Sequence, residues 1–287
     1  MSGSPETSGN RRPERVPVVV CADDYGMSPA IGGAIRELLA KGRLSATSCM
    51  TPAMAWPAEG PLLKPLRPKI GVGLHFTLTE LSPITRMPDL APEGRLPPMG
   101  QLLVRALGRA LRYDEIKNEL EAQIDRFEDV MGTPPDFLDG HHHVHQLPII
   151  REAVLEVFGR RLAPTGAAMR YCDESLWAIR RRGMAPLRAA VISLLGRNFA
   201  KRARALGYPG NVGFRGVRNF TSDETAVRLF DAFLSRPSAG MLIMCHPGTA
   251  GSGRSTDPMA LVRADEYVFL KGDDFPALLA RHGATVA

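Results

Sequence analysis

The sequence predicts an α/β fold built on a parallel sheet. Three observations carry that prediction: apolar, often β-branched runs recur along the chain, stretches with helical periodicity separate them, and polar residues able to do chemistry stand just past several of the runs. Residues 16–22 form the first run and end in Asp23-Asp24-Tyr25-Gly26, as expected of a buried parallel strand entering a loop. A helix follows, with Ser28 as N-cap, Pro29 at its first position, Ile31, Ala34, Ile35, Leu38 and Leu39 on one face, and Gly42 as its stop. Further strands are expected at 44–50, 70–78, 136–139, 167–171 and 241–245. The clearest later helix spans 114–131, where Ile116, Leu120, Ile124, Phe127 and Met131 keep helical spacing before Gly132 and Pro134. Others are expected at 148–158 and at 223–234, the latter capped by Ser222. This alternation fits a doubly wound sheet and a closed (β/α) barrel equally well.

With 287 residues, no internal repeat and no linker rich in Pro or Gly, residues 16–287 read as one domain. Residues 1–15 are polar and read as a disordered tail, without the apolar centre of a secretory signal. Two stretches read as insertions: 81–100, Pro-rich and irregular, and 176–207, basic and helical. No apolar stretch approaches the roughly 18–20 residues needed to cross a bilayer. Cys21, Cys49, Cys172 and Cys245 lie far apart with no C-x-x-C pair, which fits reduced thiols in a cytoplasmic protein. The net charge of +6 is concentrated at 180–182 and 197–204. No aromatic residues interleave there to stack on bases, so nucleic acid is not expected; a solvated helical face is, with peripheral contact to membrane headgroups as the competing reading.

The chemistry-bearing residues share one position in the pattern. Asp23-Asp24, His75, the His141-His142-His143-Val144-His145 cluster, Arg170 and His246 each sit within or just beyond an apolar run. In a parallel sheet all strands point the same way, so these ends gather on one rim. Paired carboxylates at the end of a buried strand need a cation or hydrogen-bond donors to neutralise them. Ser28 already fills the cap, and neighbouring strand residues project differently, so one aspartate can ligate a metal while the other reaches its water. If extended, residues 141, 143 and 145 share a face; if helical, 141 and 145 do. With His75 and an aspartate, this cluster gives a two-histidine, one-carboxylate set suited to zinc, iron or another divalent ion. His246, where an apolar run meets Pro247-Gly248, is the candidate general acid. Adjacent strand residues face opposite sides, which argues against a Cys245–His246 dyad.

Residues 248–255 are similar to a phosphate-binding G-x-x-x-x-G-K-[ST] loop of a nucleotide-binding protein, with Arg254 in place of lysine, but Pro258 falls where that loop's helix should run. Two histidines and a carboxylate are also the ligand set of an iron-dependent oxygenase. The additional Asp23 and the distant His246 favour hydrolysis, which needs a base and an acid. A non-catalytic saccharide- or membrane-surface-binding protein would keep the pocket and turn nothing over.

At Ala22-Asp23-Asp24-Tyr25-Gly26, Gly73-Leu74-His75-Phe76, Leu138-Asp139-Gly140-His141-His142-His143-Val144-His145 and Cys245-His246-Pro247-Gly248 the sequence resembles the YdjC-like carbohydrate deacetylases, the family of chitooligosaccharide deacetylase and of a deacetylase-like protein associated with hopanoid biosynthesis. The motifs occur in the family's order from about residue 16 to the C-terminus. The resemblance implies a distorted TIM-type (β/α) barrel with outer helices, often dimeric, that hydrolyses the acetamido group of an N-acetylated sugar or glycolipid with a divalent metal such as Mg2+ or Zn2+. It implies Asp24, His75 and His141 as metal ligands, Asp23 as general base and His246 as general acid. Arg170, with Glu174 four residues on, resembles the family's arginine-containing strand that supports base or substrate, and His143 and His145 are expected beside them. Tyr25 stands where Phe is common and Gly140 where Ser is frequent, departures that leave the implied chemistry intact.

Overall fold

The computed structural model describes residues 15–219, 224–249 and 257–287. The expected tail (apart from Arg15), the Ser222 cap and most of the glycine-rich 248–255 segment lie outside the described residues. Strands β1 (Val16–Tyr25), β2 (Ala46–Cys49), β3 (Gly71–Phe76), β4 (Phe137–Gly140), β5 (Ala168–Met169), β6 (Gly213–Arg215) and β7 (Met241–Cys245) pair in the order β5-β4-β3-β2-β1-β7-β6. Every pairing is parallel. A short β8 (Ala284–Val286) adds to the first residues of β1. The two ends of this order meet: Met169 forms a parallel bridge with Gly210, and its N–H donates to the Pro209 carbonyl. The sheet therefore curls into a TIM-like barrel, which decides between the two architectures that periodicity left open.

Helices α1 (Pro29–Ala40), α2 (Trp56–Glu59), α3 (Met99–Leu107), α4 (Tyr113–Met131), α5 (Ile150–Val157), α6 (Leu176–Arg182), α7 (Pro186–Ala205), α8 (Ala226–Phe233), α9 (Ala260–Lys271) and α10 (Asp274–Arg281) surround it. Helix α1 starts as expected, with Ser28 Oγ accepting from the Ile31 N–H at 3.3 Å and Pro at its start. Helix α4 buries Ile116, Leu120, Ile124, Phe127 and Met131 along one stripe and ends at Gly132, whose φ of 77° is a left-handed stop. Each fully buried side chain of that kind contributes about 1.5–3 kcal/mol. Strand β7 and residues 16–22 of β1 are continuous apolar runs because helices or barrel interior cover both faces.

The expected strand at 241–245 has those bounds in the structure, while those at 44–50, 70–78 and 167–171 shrink as their ends join loops. Strands β6 and β8, three residues each, and helices α3, α9 and α10 were not expected from the sequence. The stretch 81–100 is irregular up to α3. It is held to α4 by the Ile84 and Thr85 N–H groups, which donate to the Glu119 carboxylate at 3.0 and 2.8 Å. The stretch 176–207 is the α6–α7 pair. Both stretches flank the open ends of the strands. Among the described residues, no helix is long and apolar enough to cross a membrane.

Candidate active site

At the C-terminal rim the backbone of β1 breaks register. Ala22 pairs with Thr47 but Tyr25 with Cys49, so Asp23-Asp24 form a bulge, and Asp24 takes φ 67°. A left-handed aspartate costs conformational energy and persists where surrounding contacts fix it. The bulge sends the two carboxylates to different partners.

Asp23 meets Arg170 in a fork, Nη1 donating to Oδ2 at 2.6 Å and Nη2 to Oδ1 at 2.7 Å, with both residues buried. The same guanidinium lies 2.6 Å from Asp139 Oδ2. Burial alone would lower the Arg170 pKa, but Asp139 and Asp23 hold it well above its ordinary value. Asp24 is anchored through Oδ2, which accepts from Arg263 Nη2 at 2.7 Å. Its Oδ1 faces the histidines, 3.1 Å from His141 Nδ1 and 3.5 Å from His75 Nε2. No hydrogen bond of good geometry satisfies that buried oxygen. Burial opposes ionisation of Asp24, yet Arg263, then His141 and His75, more than offset it and hold the carboxyl well below the usual range.

His75 is paired with Asp139 in the β3–β4 register, and its Nδ1 lies 2.6 Å from Asp139 Oδ1. Ser48 Oγ donates to the same oxygen at 2.5 Å. Burial pushes the imidazole down, but the carboxylates of Asp139 and Asp23 outweigh it and raise His75 to about 10. One donor atom each from Asp24, His75 and His141 lies within 4.8 Å of the other two. A tetrahedral ion with bonds of about 2.1 Å spaces its ligands about 3.4 Å apart, so the set fits a zinc-sized cation. A carboxylate behind a histidine is also the usual way a metal-facing imidazole is oriented.

After Gly140 the chain turns at once into a 3-10 segment (His141–Gln146) in which His142 and His143 take left-handed φ of 53° and 59°. It is neither extended nor α-helical, so neither face expected from the sequence forms. His141 reaches Asp24, and His142 Nδ1 sits 3.0 Å from Thr79 Oγ1 at the pocket wall. His143 lines the pocket with its Nδ1 3.6 Å from Cys172 Sγ; burial pushes that thiol up, so it stays protonated. His145 turns away from the cavity, donating from Nε2 to the Arg170 carbonyl at 3.1 Å and packing edge-on against Phe199. A Cβ at Gly140 would lie 2.9 Å from the His145 nitrogens, so this tight exit suits glycine. Glu174 is not in the site: it is ion-paired with Arg182 and Arg215 and ties α6 to β6.

His246 lines the same cavity. Its backbone N–H donates to Glu266 Oε2 at 2.5 Å, and Glu266 Oε1 accepts from Arg218 at 2.9 Å. Burial pushes the His246 imidazole below its ordinary value although Asp24, Asp23 and Glu266 pull the other way. The structure thus gathers Asp23, Asp24, His75, His141, His143, Arg170 and His246 and leaves His145 and Glu174 behind them. Sequence reasoning missed Asp139, Arg263 and Glu266 as parts of the site. A signal for the last two existed: in α9, Arg263 and Glu266 share a buried stripe with Phe269 and Leu270.

The cavity measures about 550 Å³. Its floor is ionic, while its walls carry Met99 and Leu103 of α3, Val191, Ile192 and Leu195 of α7, and Met259.

A parallel barrel whose strand ends collect carboxylates and imidazoles around one point defines a barrel enzyme with acid–base chemistry at its rim. This chain belongs to the YdjC-like family, whose model matches residues 17–281. It is 28% identical to the chitooligosaccharide deacetylase of Salmonella typhimurium over 279 residues, covering 94% of this chain and 96% of that one. The chitooligosaccharide deacetylase of Salmonella newport is 30% identical with the same coverage. The crystal structure of an Enterococcus faecalis V583 protein assigned to cellobiose-phosphate cleavage superposes with a TM-score of 0.74 at 18% identity, covering 95% of this chain and 97% of that one. That likeness shows the shared fold.

Proposed function

We propose that this chain is a carbohydrate N-deacetylase that hydrolyses the acetamido group of an N-acetylated saccharide and releases acetate, with a divalent cation, magnesium or zinc, held by Asp24, His75 and His141. The observation that carries the proposal is that these three donors converge while the far side of two of them is tied off, His75 by Asp139 and Asp24 by Arg263. Three buried carboxylates, Asp23, Asp24 and Asp139, face two buried guanidiniums, Arg170 and Arg263, and the third positive charge is the proton that these carboxylates hold on His75, the charge a cation would replace. Such a cation, when bound, supplies an acidified water and a polarised acetyl oxygen.

The chain's own residues then carry the protons. Asp23 accepts the proton of the attacking water as general base; the Arg170 fork fixes its orientation, and Oδ2, which accepts from Arg170 alone, keeps a second lone pair while Oδ1 also accepts from the Cys21 thiol. His246 protonates the departing sugar nitrogen, and its depressed basicity makes the imidazolium a stronger acid for that step. The chemistry thus assigns opposite duties to Asp23 and His246, both lining the same cavity. The apolar walls further favour an N-acetylated glycolipid over a bare oligosaccharide.

The test is acetate release from soluble N-acetylated oligosaccharides and glycolipids, after chelation and re-addition of single metals. Asp23→Asn is expected to lower turnover by about 100- to 10,000-fold and leave metal affinity unchanged. His75→Ala is expected to lose both. Equal metal loss in the two variants, or activity that survives complete metal removal, contradicts the assignment. Oxygen consumption in place of acetate release would favour the iron oxygenase.

A further inference from the structure

The two stretches that stand outside the barrel repeat, 81–107 and 176–205, meet around the cavity mouth, and their outward faces are apolar. On α7, Leu187, Val191 and Leu194 follow helical spacing and are exposed, Leu187 at 79%. Val191 belongs to both the exterior stripe and the cavity wall. On α3, Val104 and Leu107 are exposed beside Leu103 of the wall. On α6, which packs on α7, Leu176 and Trp177 are exposed as well, Trp177 at 65% with the Arg181 guanidinium 5.2 Å from its ring centre. Exposed apolar side chains gathered on the helices that wall a cavity mouth mark a docking face.

Charge identifies the occupant. Residues 176–205 contain eight arginines and lysines and no acidic residue. Arg182, Arg202 and Arg204 are ion-paired with Glu174, Glu152 and Asp173, while Arg180, Arg181, Arg197 and Lys201 are exposed. A second copy docking through the same face about a two-fold axis would bring these cations against each other with no acid from the segment to answer them. Nucleic acid would call for several aromatic platforms, whereas the face offers aliphatic side chains and a single tryptophan. Aliphatic residues, a tryptophan and a ring of arginines are the composition of a surface seated at a lipid headgroup layer.

We propose that the α3 and α6–α7 faces form a collar that docks on an anionic lipid bilayer and presents the cavity mouth to the headgroups. The inference deepens the deacetylase reading by naming where the enzyme meets its substrate, and vesicle binding can be read without any substrate. The test is sedimentation of the full chain with phosphatidylcholine vesicles and with vesicles holding one part phosphatidylglycerol to three parts phosphatidylcholine. Binding to the anionic vesicles is expected, weakened by salt and accompanied by a blue shift of tryptophan emission that Trp177→Leu removes. Each neutralised arginine is expected to weaken binding about fivefold, so Arg180→Gln with Arg181→Gln should cost about 25-fold. Leu187→Asp with Leu194→Asp should abolish binding while acetate release from a soluble oligosaccharide is unchanged. Absence of binding to anionic vesicles, binding indifferent to both double variants, or a dimer that the Leu187/Leu194 variant splits would each overturn the proposal. If no saccharide releases acetate while the vesicle results hold, the deacetylase reading fails and the docking surface stands.

Discussion

The floor and the mouth of one cavity are built by opposite means. The floor is made of strand ends, where Asp23, Arg170, Asp139 and His75 are locked in place by charge-assisted hydrogen bonds and an ion pair of 2.6–2.7 Å. The mouth is made of helices from the two excursions, where Met99, Leu103, Val191, Ile192 and Leu195 offer surface and shape. A locked floor fixes reaction geometry, and a wall of apolar side chains can change without disturbing it. Chemistry and substrate choice are therefore separable in this molecule.

Substitutions can break that separation or sharpen it. The largest effect is expected at Arg170, which serves two buried carboxylates at once. Arg170→Gln should destabilise the fold by about 3–5 kcal/mol, read from urea unfolding, and activity should be lost with it. Arg263→Gln comes next. It frees Asp24 Oδ2, so the ligand is no longer held in one orientation, and cation affinity should fall about 10- to 100-fold by calorimetry. Activity at saturating metal should largely recover, which distinguishes this residue from Asp23.

Proton linkage gives the third effect. His75, near 10 without a cation, is protonated at neutral pH, and a cation at its Nε2 must displace that proton. Affinity should therefore rise with pH, by about tenfold per unit until it levels off near pH 10, with proton release seen as a dependence of the binding heat on buffer. In the cation-free chain the same shift stabilises the fold fully below the ordinary histidine value of 6.5 and fades as pH rises through about 10. The smallest effect belongs to the wall. Leu103→Ala should raise KM about fivefold for a glycolipid, the low end of the roughly 1–3 kcal/mol of a lost hydrophobic contact, and leave a short soluble oligosaccharide unaffected.

The barrel was legible where burial is complete. Strand β7 and residues 16–22 of β1 are uninterrupted apolar runs, and α4 repeats its stripe over 19 residues. Strand β5 has two residues and β6 three, too short for any period to register, and closure of the barrel rests on a single bridge from Met169 of β5 to Gly210, which lies in no strand. In the site, aspartates and histidines at strand ends could be read because polar residues there interrupt an apolar pattern. Arg263 could not be read as easily, since Arg-Ala-Asp-Glu in a helix looks like any solvated face until packing shows it buried. The left-handed turns at Asp24, His142 and His143 follow from tertiary contacts, which no local propensity encodes.

Helix α9 sets an order of events for the nascent chain. Asp24 is made 239 positions before its guanidinium partner, and the loop that carries His246 hangs by its main chain from Glu266. A ribosome-bound chain lacking residues beyond 259 would carry most of the barrel strands and all three proposed ligands, but neither clamp. The Asp24 clamp is thus completed only once α9 has been made, 239 positions after the aspartate it holds.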